Sequence, residues 1–154
     1  PIVADAGFLN LLAEKIFSYK NWILTPHPGE AAKMLQSTVK SIQDNRISSA
    51  IALKEKFGGA VVLKGNESVI VIEDKIYICN HGNQSMGTAG MGDCLSGVLT
   101  SFITMLQSGI DYRAILFAIA LHSYSADLLS SGNEAVGILA TDVIEGMKKM
   151  INEN

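Results

Sequence analysis

The sequence predicts an α/β fold with a mostly parallel sheet, and three observations carry that expectation. Strand-like and helical segments alternate through the first half of the chain. Ala60-Val61-Val62-Leu63 is an unbroken apolar run of the kind shown by parallel strands buried on both faces. Beyond the glycine-rich stretch around Gly90, apolar residues recur at threes and fours, so helices dominate the end.

Each element has its own signal. Residues 1–4 read as a short buried strand, and residues 8–18 as a helix with Leu9, Leu12 and Ile16 on one face. Residues 22–25 form the next strand, ended by Pro26-His27-Pro28-Gly29-Glu30. Two prolines around a histidine rule out a helix there and fix an extended loop. A helix begins near Glu30, carrying Ala31, Met34 and Leu35, and residues 42–57 form another, closed by Gly58-Gly59. Residues 68–72 and 75–79 pair as a hairpin across Glu73-Asp74. A helical face then runs through Leu95, Val98, Leu99, Phe102, Ile103 and Leu106, followed by a helix over about 111–130. The last helix, about 141–150, starts at Thr141 with Glu145 close to a capping-box position.

Composition sets the limits. The 154 residues make one domain, 1–154, with 48% hydrophobic and 18% charged residues. A net charge of −3 without a basic cluster excludes a nucleic-acid binder, and Lys148-Lys149 reads as a solvated helix tail. Cys79 and Cys94 stand alone, with no metal-ligand spacing, as small core residues of a cytoplasmic protein. Apolar runs such as residues 114–121 fall short of the roughly 18 residues that span a membrane, and no secretion signal is visible. The chain begins at Pro1 and goes straight into a strand, as though the opening of a larger fold were removed or carried by another chain.

The most informative stretch is Gly87-Thr88-Ala89-Gly90-Met91-Gly92-Asp93-Cys94-Leu95-Ser96-Gly97. It is a glycine loop that enters a helix, with one carboxylate in the first turn. Unpaired N–H groups and the helix dipole make such a terminus a site for phosphate or a developing oxyanion. Glycine lets backbone approach that anion closely. Asp93 beside it is a candidate base that activates a hydroxyl for phosphoryl transfer.

Two further motifs fall at strand ends, where open α/β sheets bind ligands. In Thr25-Pro26-His27-Pro28-Gly29-Glu30 the prolines would hold the His27 imidazole in one orientation, and Glu30 could face a hydrated Mg²⁺. In Leu63-Lys64-Gly65-Asn66-Glu67-Ser68 an exposed Lys64 ammonium would meet phosphate or ribose oxygens, with Gly65 allowing close approach. His122 reads as a partly buried structural histidine, His81 as an exposed loop residue, and Met86 and Met91 as gap-fillers.

Taken in order, these motifs resemble the ADP/ATP-dependent NAD(P)H-hydrate dehydratases of the ribokinase-like superfamily. The resemblance rests on Asp5-Ala6 with Leu9-Asn10-Leu11-Leu12, Thr25 to Glu30, Val61 to Gly65, Gly82 to Gly97, and Gly137-Ile138-Leu139-Ala140-Thr141-Asp142. Gly7, Gln84 and Ala89 stand where that family usually has Asp, Pro and Gly. The resemblance implies a three-layer fold lacking its N-terminal portion, so the partners would include that N-terminal half, on the same precursor or another chain. It also implies repair of NADH or NADPH hydrate with ADP or ATP and Mg²⁺, by a homo-oligomer. On that footing Asp93 and His27 contact the hydrate, with Asp93 the base. Lys64, Gly65, Asn66, Glu67, Ser68 and Gly92 line the nucleotide site, and the N–H groups of Gly90, Met91 and Gly92 stabilise the transferring phosphoryl. Two other readings stay open: a ribokinase-like kinase of a small molecule such as a vitamin precursor, and a truncated homologue that binds adenine nucleotide without turnover.

Overall fold

The computed structural model describes residues 1–105, 111–130 and 137–153. The chain falls into two compact units, Pro1–Ile78 and Cys79–Asn154. The first is an α/β unit built on a five-stranded sheet of order β1-β2-β3-β4-β5. The strands are β1 (Ile2–Ala4), β2 (Trp22–Leu24), β3 (Ala60–Leu63), β4 (Ser68–Ile72) and β5 (Lys75–Cys79). The sheet is mixed. β1 runs parallel to β2 with Ile2 opposite Trp22, and β2 parallel to β3 with Ile23 opposite Ala60. β4 returns antiparallel to β3 with Val62 opposite Ile70. The apolar run of β3 is buried at every position, as two-sided burial requires.

Four helices connect these strands: α1 (Gly7–Glu14), α2 (Pro28–Met34), α3 (Val39–Asp44) and α4 (Arg46–Phe57). All four differ from the sequence expectation, each for a local reason. α1 stops at Glu14, because Lys15 is already extended. Phe17 and Tyr19 then turn edge-on to Trp22, and the Tyr19 N–H donates to the Phe57 carbonyl at 3.0 Å. Leu9 and Leu12 are buried, whereas Ile16, expected on the same face, is exposed. α2 starts at Pro28, inside the supposed loop, since proline fits the first helical position, where no N–H partner is needed. The single helix expected over 42–57 is two, broken at Asn45, whose backbone is non-helical and whose carbonyl accepts the Ser49 N–H.

Trp22 anchors the core of this unit. Its indole N–H donates to the Phe57 carbonyl at 2.9 Å, and it shares one buried apolar cluster with Leu9, Leu24, Leu53, Phe57 and Val61. The Gly58-Gly59 turn has to pass over it: both glycines have left-handed φ, and a Cβ on Gly59 would strike the Trp22 carbonyl.

The second unit is helical, with α5 (Met91–Met105), α6 (Tyr112–Ser130) and α7 (Ala140–Asn152) after a short 3-10 turn at Gln84–Met86. Leu95, Leu99 and Ile103 are buried along α5 as their spacing predicts, Val98 and Phe102 pack at the edge of the core, and Leu106 lies outside the described residues. α6 and α7 approach closely at Gly146, where a Cβ would strike the Ser125 hydroxyl, and that hydroxyl donates to the Val143 carbonyl at 3.0 Å. α7 is capped by Asp142, which accepts the Leu139 N–H at 2.8 Å. Glu145, the expected capping residue, instead faces Lys148 at 3.7 Å. Among the described residues no helix is long and apolar enough to cross a membrane.

Candidate active site

Parallel neighbours β1, β2 and β3 end on one side of the sheet, and their carboxyl ends gather two of the three predicted motifs. The Lys64 N–H donates to the Pro26 carbonyl at 2.9 Å, so the His27 loop and the Lys64 turn lie side by side. Thr25 ties this group to β1: its hydroxyl and N–H both donate to the Ala4 carbonyl, at 3.2 and 3.1 Å.

His27 caps α2. Its Nδ1 accepts the N–H groups of Gly29 at 2.9 Å and Glu30 at 3.3 Å, while Glu30 Oε2 accepts the His27 N–H at 2.8 Å. This reciprocal capping box satisfies helix N–H groups that would otherwise be orphaned. It also fixes the imidazole, leaving Nε2 as the outward nitrogen on a half-exposed side chain, 3.6 Å from Glu30 Oε1. Glu30 itself is buried.

Lys64 is not the exposed ammonium that its position suggested. Its Nζ lies 2.8 Å from Asp5 Oδ1, with both side chains largely buried. The turn after it is wrapped by Arg46 of α4, a residue that sequence reasoning missed. One guanidinium nitrogen donates to the carbonyls of Leu63, Lys64 and Glu67 at 3.1, 3.4 and 3.3 Å. Burial pushes this guanidinium below its usual pKa, partly offset by Glu67. Gly65 permits the wrap, since a Cβ there would lie 2.6 Å from the guanidinium. Glu67 adopts φ 58°, a left-handed conformation uncommon outside glycine. Asn66 and Ser68 flank it, and the Ser68 hydroxyl donates to the Gly65 carbonyl at 3.5 Å.

In the second unit the glycine loop enters α5 as predicted. Gly90 takes φ 83° and its carbonyl accepts the Cys94 N–H at 2.9 Å, placing Asp93 in the first helical turn, exposed. Among the three predicted donors, the Met91 N–H already reaches the Thr88 carbonyl at 3.4 Å. A cleft of about 680 Å³ opens between α5 and α7, with Gly90, Asp93 and Thr141 at one end and Phe102, Met147 and Ile151 further along. The spacing of Ile144, Met147 and Ile151 along α7 could have pointed to this wall.

The start of the loop is clamped to α6. Asp127 accepts the Gly82 N–H at 3.0 Å, the Asn83 amide at 3.0 Å and His81 Nδ1 at 3.2 Å. Burial alone would push the Asp127 carboxyl up, and those three donors outweigh it, holding the group below the usual carboxylate range. His81, expected to be simply exposed, therefore has a partner, and its ring also stands edge-on to Tyr124. Thr88 is tied on the other side, its hydroxyl donating to the Ile138 carbonyl at 3.0 Å. Cys79 and Cys94 are free and buried, as expected.

Comparison with known proteins identifies the family. The family model described as NAD(P)H-hydrate dehydratase matches residues 1–149. The bifunctional NAD(P)H-hydrate repair enzyme of Coxiella burnetii is 38% identical over 99% of this chain, which spans 31% of that protein. The ADP-dependent (S)-NAD(P)H-hydrate dehydratase of Neisseria meningitidis is 35% identical over 99% of this chain, which spans 53% of it. The solved structure of the Bacillus subtilis ADP/ATP-dependent NAD(P)H-hydrate dehydratase, co-crystallised with ATP and Mg²⁺ and soaked with CoA, superposes with a TM-score of 0.85. It is 30% identical over 99% of this chain and 56% of its own. With the glycine loop, its Asp93 and the strand-end motifs all inside the matched region, the chain belongs to the NAD(P)H-hydrate dehydratase family.

Proposed function

We propose that this chain carries the base and the anion-binding turn of a nucleotide-dependent NAD(P)H-hydrate dehydratase. The observation that carries the reading is the placement of Asp93. It stands exposed in the first turn of α5, three residues after the left-handed Gly90, among the residues that line a cleft.

In this reading Asp93 takes the proton from the ring hydroxyl of the hydrate, and the oxygen attacks the terminal phosphoryl group of ADP or ATP. The shortened nucleotide leaves. The N–H groups of Gly90 and Gly92 carry the charge that develops on the transferring group, with Met91, whose N–H reaches Thr88, holding the turn between them. The ring nitrogen's lone pair then expels phosphate from the neighbouring carbon, and loss of a proton from the adjacent carbon restores the dihydronicotinamide. His27 offers Nε2 to the hydrate, while its Nδ1 stays bound to α2. Lys64, Gly65, Asn66, Glu67, Ser68 and Gly92 contact the nucleotide.

Among the described residues no group of three or more His, Cys, Asp or Glu side chains is placed to hold a metal ion. In this reading Mg²⁺ enters with the nucleotide, where it neutralises phosphate charge, and Glu30 faces it through water. The protein is cytoplasmic in this reading and works as a homo-oligomer, with the N-terminal half of the domain completing the substrate pocket.

The test is recovery of the dihydronicotinamide absorbance from NADH hydrate with Mg²⁺ and ADP or ATP. This chain, the chain completed by the N-terminal half, and Asp93→Asn in each are compared. Recovery that needs nucleotide and vanishes in the variant supports the reading. A stable phosphorylated product would replace it with a small-molecule kinase, and nucleotide binding without turnover with an inactive homologue.

A further inference from the structure

Arg46 stands at the start of α4 and spends its guanidinium on the turn that follows β3. One terminal nitrogen donates to the carbonyls of Leu63, Lys64 and Glu67 at 3.1, 3.4 and 3.3 Å. The other donates to the Gln43 side-chain oxygen at 3.0 Å, which steadies the fork from behind. Nε is buried with no hydrogen-bond partner among the described residues. A dry, unpaired guanidinium nitrogen costs stability, and an arginine with no other duty would keep its head in water. The turn it wraps includes Glu67 at φ 58°, a conformation that persists only where surrounding groups fix it.

We propose that Arg46 is a positioning residue for nucleotide binding: it holds the Lys64 carbonyl on one side of the turn and thereby aims the Gly65 N–H at the nucleotide on the other. This rests on the functional reading above, in which Lys64 to Ser68 line the nucleotide site. A carbonyl and the N–H of the next residue lie in one trans peptide plane and point in opposite directions, so fixing one aims the other. The Leu63–Lys64 peptide displays the arrangement outright. Its carbonyl meets Arg46, and its N–H meets the Pro26 carbonyl at 2.9 Å, on the side of the His27 loop. The Lys64–Gly65 peptide is held by the same nitrogen, so its N–H is likewise turned from Arg46. Among the described residues that N–H meets no backbone carbonyl.

Charge adds to geometry. Lys64 is engaged with Asp5, whereas the Arg46 cation stands directly behind the turn. A carbonyl that accepts from a cation polarises its own peptide, which strengthens the N–H at the far end. Gly65 and Arg46 are matched, because a Cβ at residue 65 would lie 2.6 Å from the guanidinium and displace it. The hold at Glu67 fixes the far end of the same turn.

The experiment uses the chain completed by its N-terminal half. It compares Arg46→Met, which keeps the reach without donor or charge, with Arg46→Lys, which keeps a donor and the charge. The readouts are thermal unfolding, ADP affinity by calorimetry, kcat with both KM values, and the Gly65 amide shift during an ADP titration. Arg46→Met is expected to fold and to bind ADP about ten-fold more weakly, the scale of one such hydrogen bond. Its nucleotide KM rises in step, while hydrate KM and kcat at saturating nucleotide stay near wild type. Arg46→Lys recovers part of the affinity and of the Gly65 response. Wild-type ADP affinity in Arg46→Met would overturn the proposal. So would an equal rise of both KM values, or a loss that lysine does not reduce. If Arg46→Met does not fold, Arg46→Lys decides alone: weaker ADP binding at unchanged Tm and hydrate KM supports the proposal, and wild-type affinity overturns it. A wild-type protein that binds ADP without turning over hydrate ends the functional reading, and the ADP comparison still decides the role of Arg46. One that binds no ADP overturns both.

Discussion

The Nζ of Lys64 lies 2.8 Å from Oδ1 of Asp5, joining residues 59 positions apart across the carboxyl ends of β1 and β3. The two side chains retain only 20% and 13% of their exposure, and the pair supplies part of the compensation that each buried charge needs. Asp5 opens the first motif of the chain and Lys64 closes the third strand. The pair therefore holds the mouth of the sheet as well as its own charges.

Removing one partner takes the short ion pair away from a largely buried charge. Lys64→Met and Asp5→Asn are each expected to lower stability by about 1–3 kcal/mol, less than a fully buried pair because some solvent remains. The double variant should lose less than the sum of the two. Urea unfolding of the four proteins gives the coupling energy directly, and additive losses would show that the two groups act independently. If Lys64 also meets the nucleotide, its variant raises the nucleotide KM while Asp5→Asn raises it less.

Gly7 offers a gain rather than a loss. It is the first residue of α1, the first turn of that helix holds no acidic residue, and a Cβ at Gly7 meets nothing within 4 Å. Gly7→Asp places a carboxylate where the helix dipole favours it. The expected effect is a stabilisation of about 0.5–1 kcal/mol, from the dipole and from lost freedom of the unfolded chain. A rise in Tm of a few degrees checks it, and a fall in Tm would mean that the loop before α1 has to rearrange.

What could be read from the sequence was local. β3, the 68–79 hairpin and the Gly58-Gly59 turn follow from apolar runs and turn chemistry confined to a few neighbours, and Asp93 from a glycine loop running into helical spacing. Pro28 carried a readable signal that was misjudged: proline followed by Glu30 marks a helix start as well as a loop. The break at Asn45 was hidden because apolar spacing continues across it. Arg46 and Asp127 were invisible for a different reason. Their partners are carbonyls and N–H groups of distant turns, and backbone atoms leave no mark in the side-chain pattern.

Gly59 and Gly90 both have left-handed φ, 69° and 83°, yet alanine is expected to act differently at each. At Gly59 the new Cβ would meet the backbone carbonyl of Trp22, which is held in the sheet and cannot yield. Strain and clash together are expected to cost about 3 kcal/mol or more. At Gly90 the nearest atom is the Ala140 Cβ at 3.7 Å, an ordinary contact, so only the backbone strain of about 1–2 kcal/mol remains. Gly90→Ala should therefore fold and still lose phosphate affinity, because relieving the strain re-aims the turn. Urea unfolding ranks the two costs, and a phosphate titration reads the second effect. Equal destabilisation would mean that the loop around Gly90 is as tightly packed as the Trp22 corner.

The pH dependence of stability has a definite sign from His122. Burial pushes its pKa down to about 4, with the Met91 hydrogen bond opposing, whereas an unfolded histidine titrates near 6.5. Between those values the unfolded chain binds a proton that the folded protein refuses, so acid favours unfolding. Stability should fall as pH drops from about 6.5 to 4 and this contribution should level off below, a loss of roughly 3 kcal/mol from this single group. Asp127 acts in a lower window, because its carboxyl is held below the usual range and its contribution is lost only as that group protonates. The two are separable by urea unfolding across pH 3–8: His122→Phe flattens the upper window and leaves the lower one, and Asp127→Asn does the reverse. A His122→Phe protein that keeps the full slope between pH 6.5 and 4 would show that the ring takes up its proton without leaving the fold.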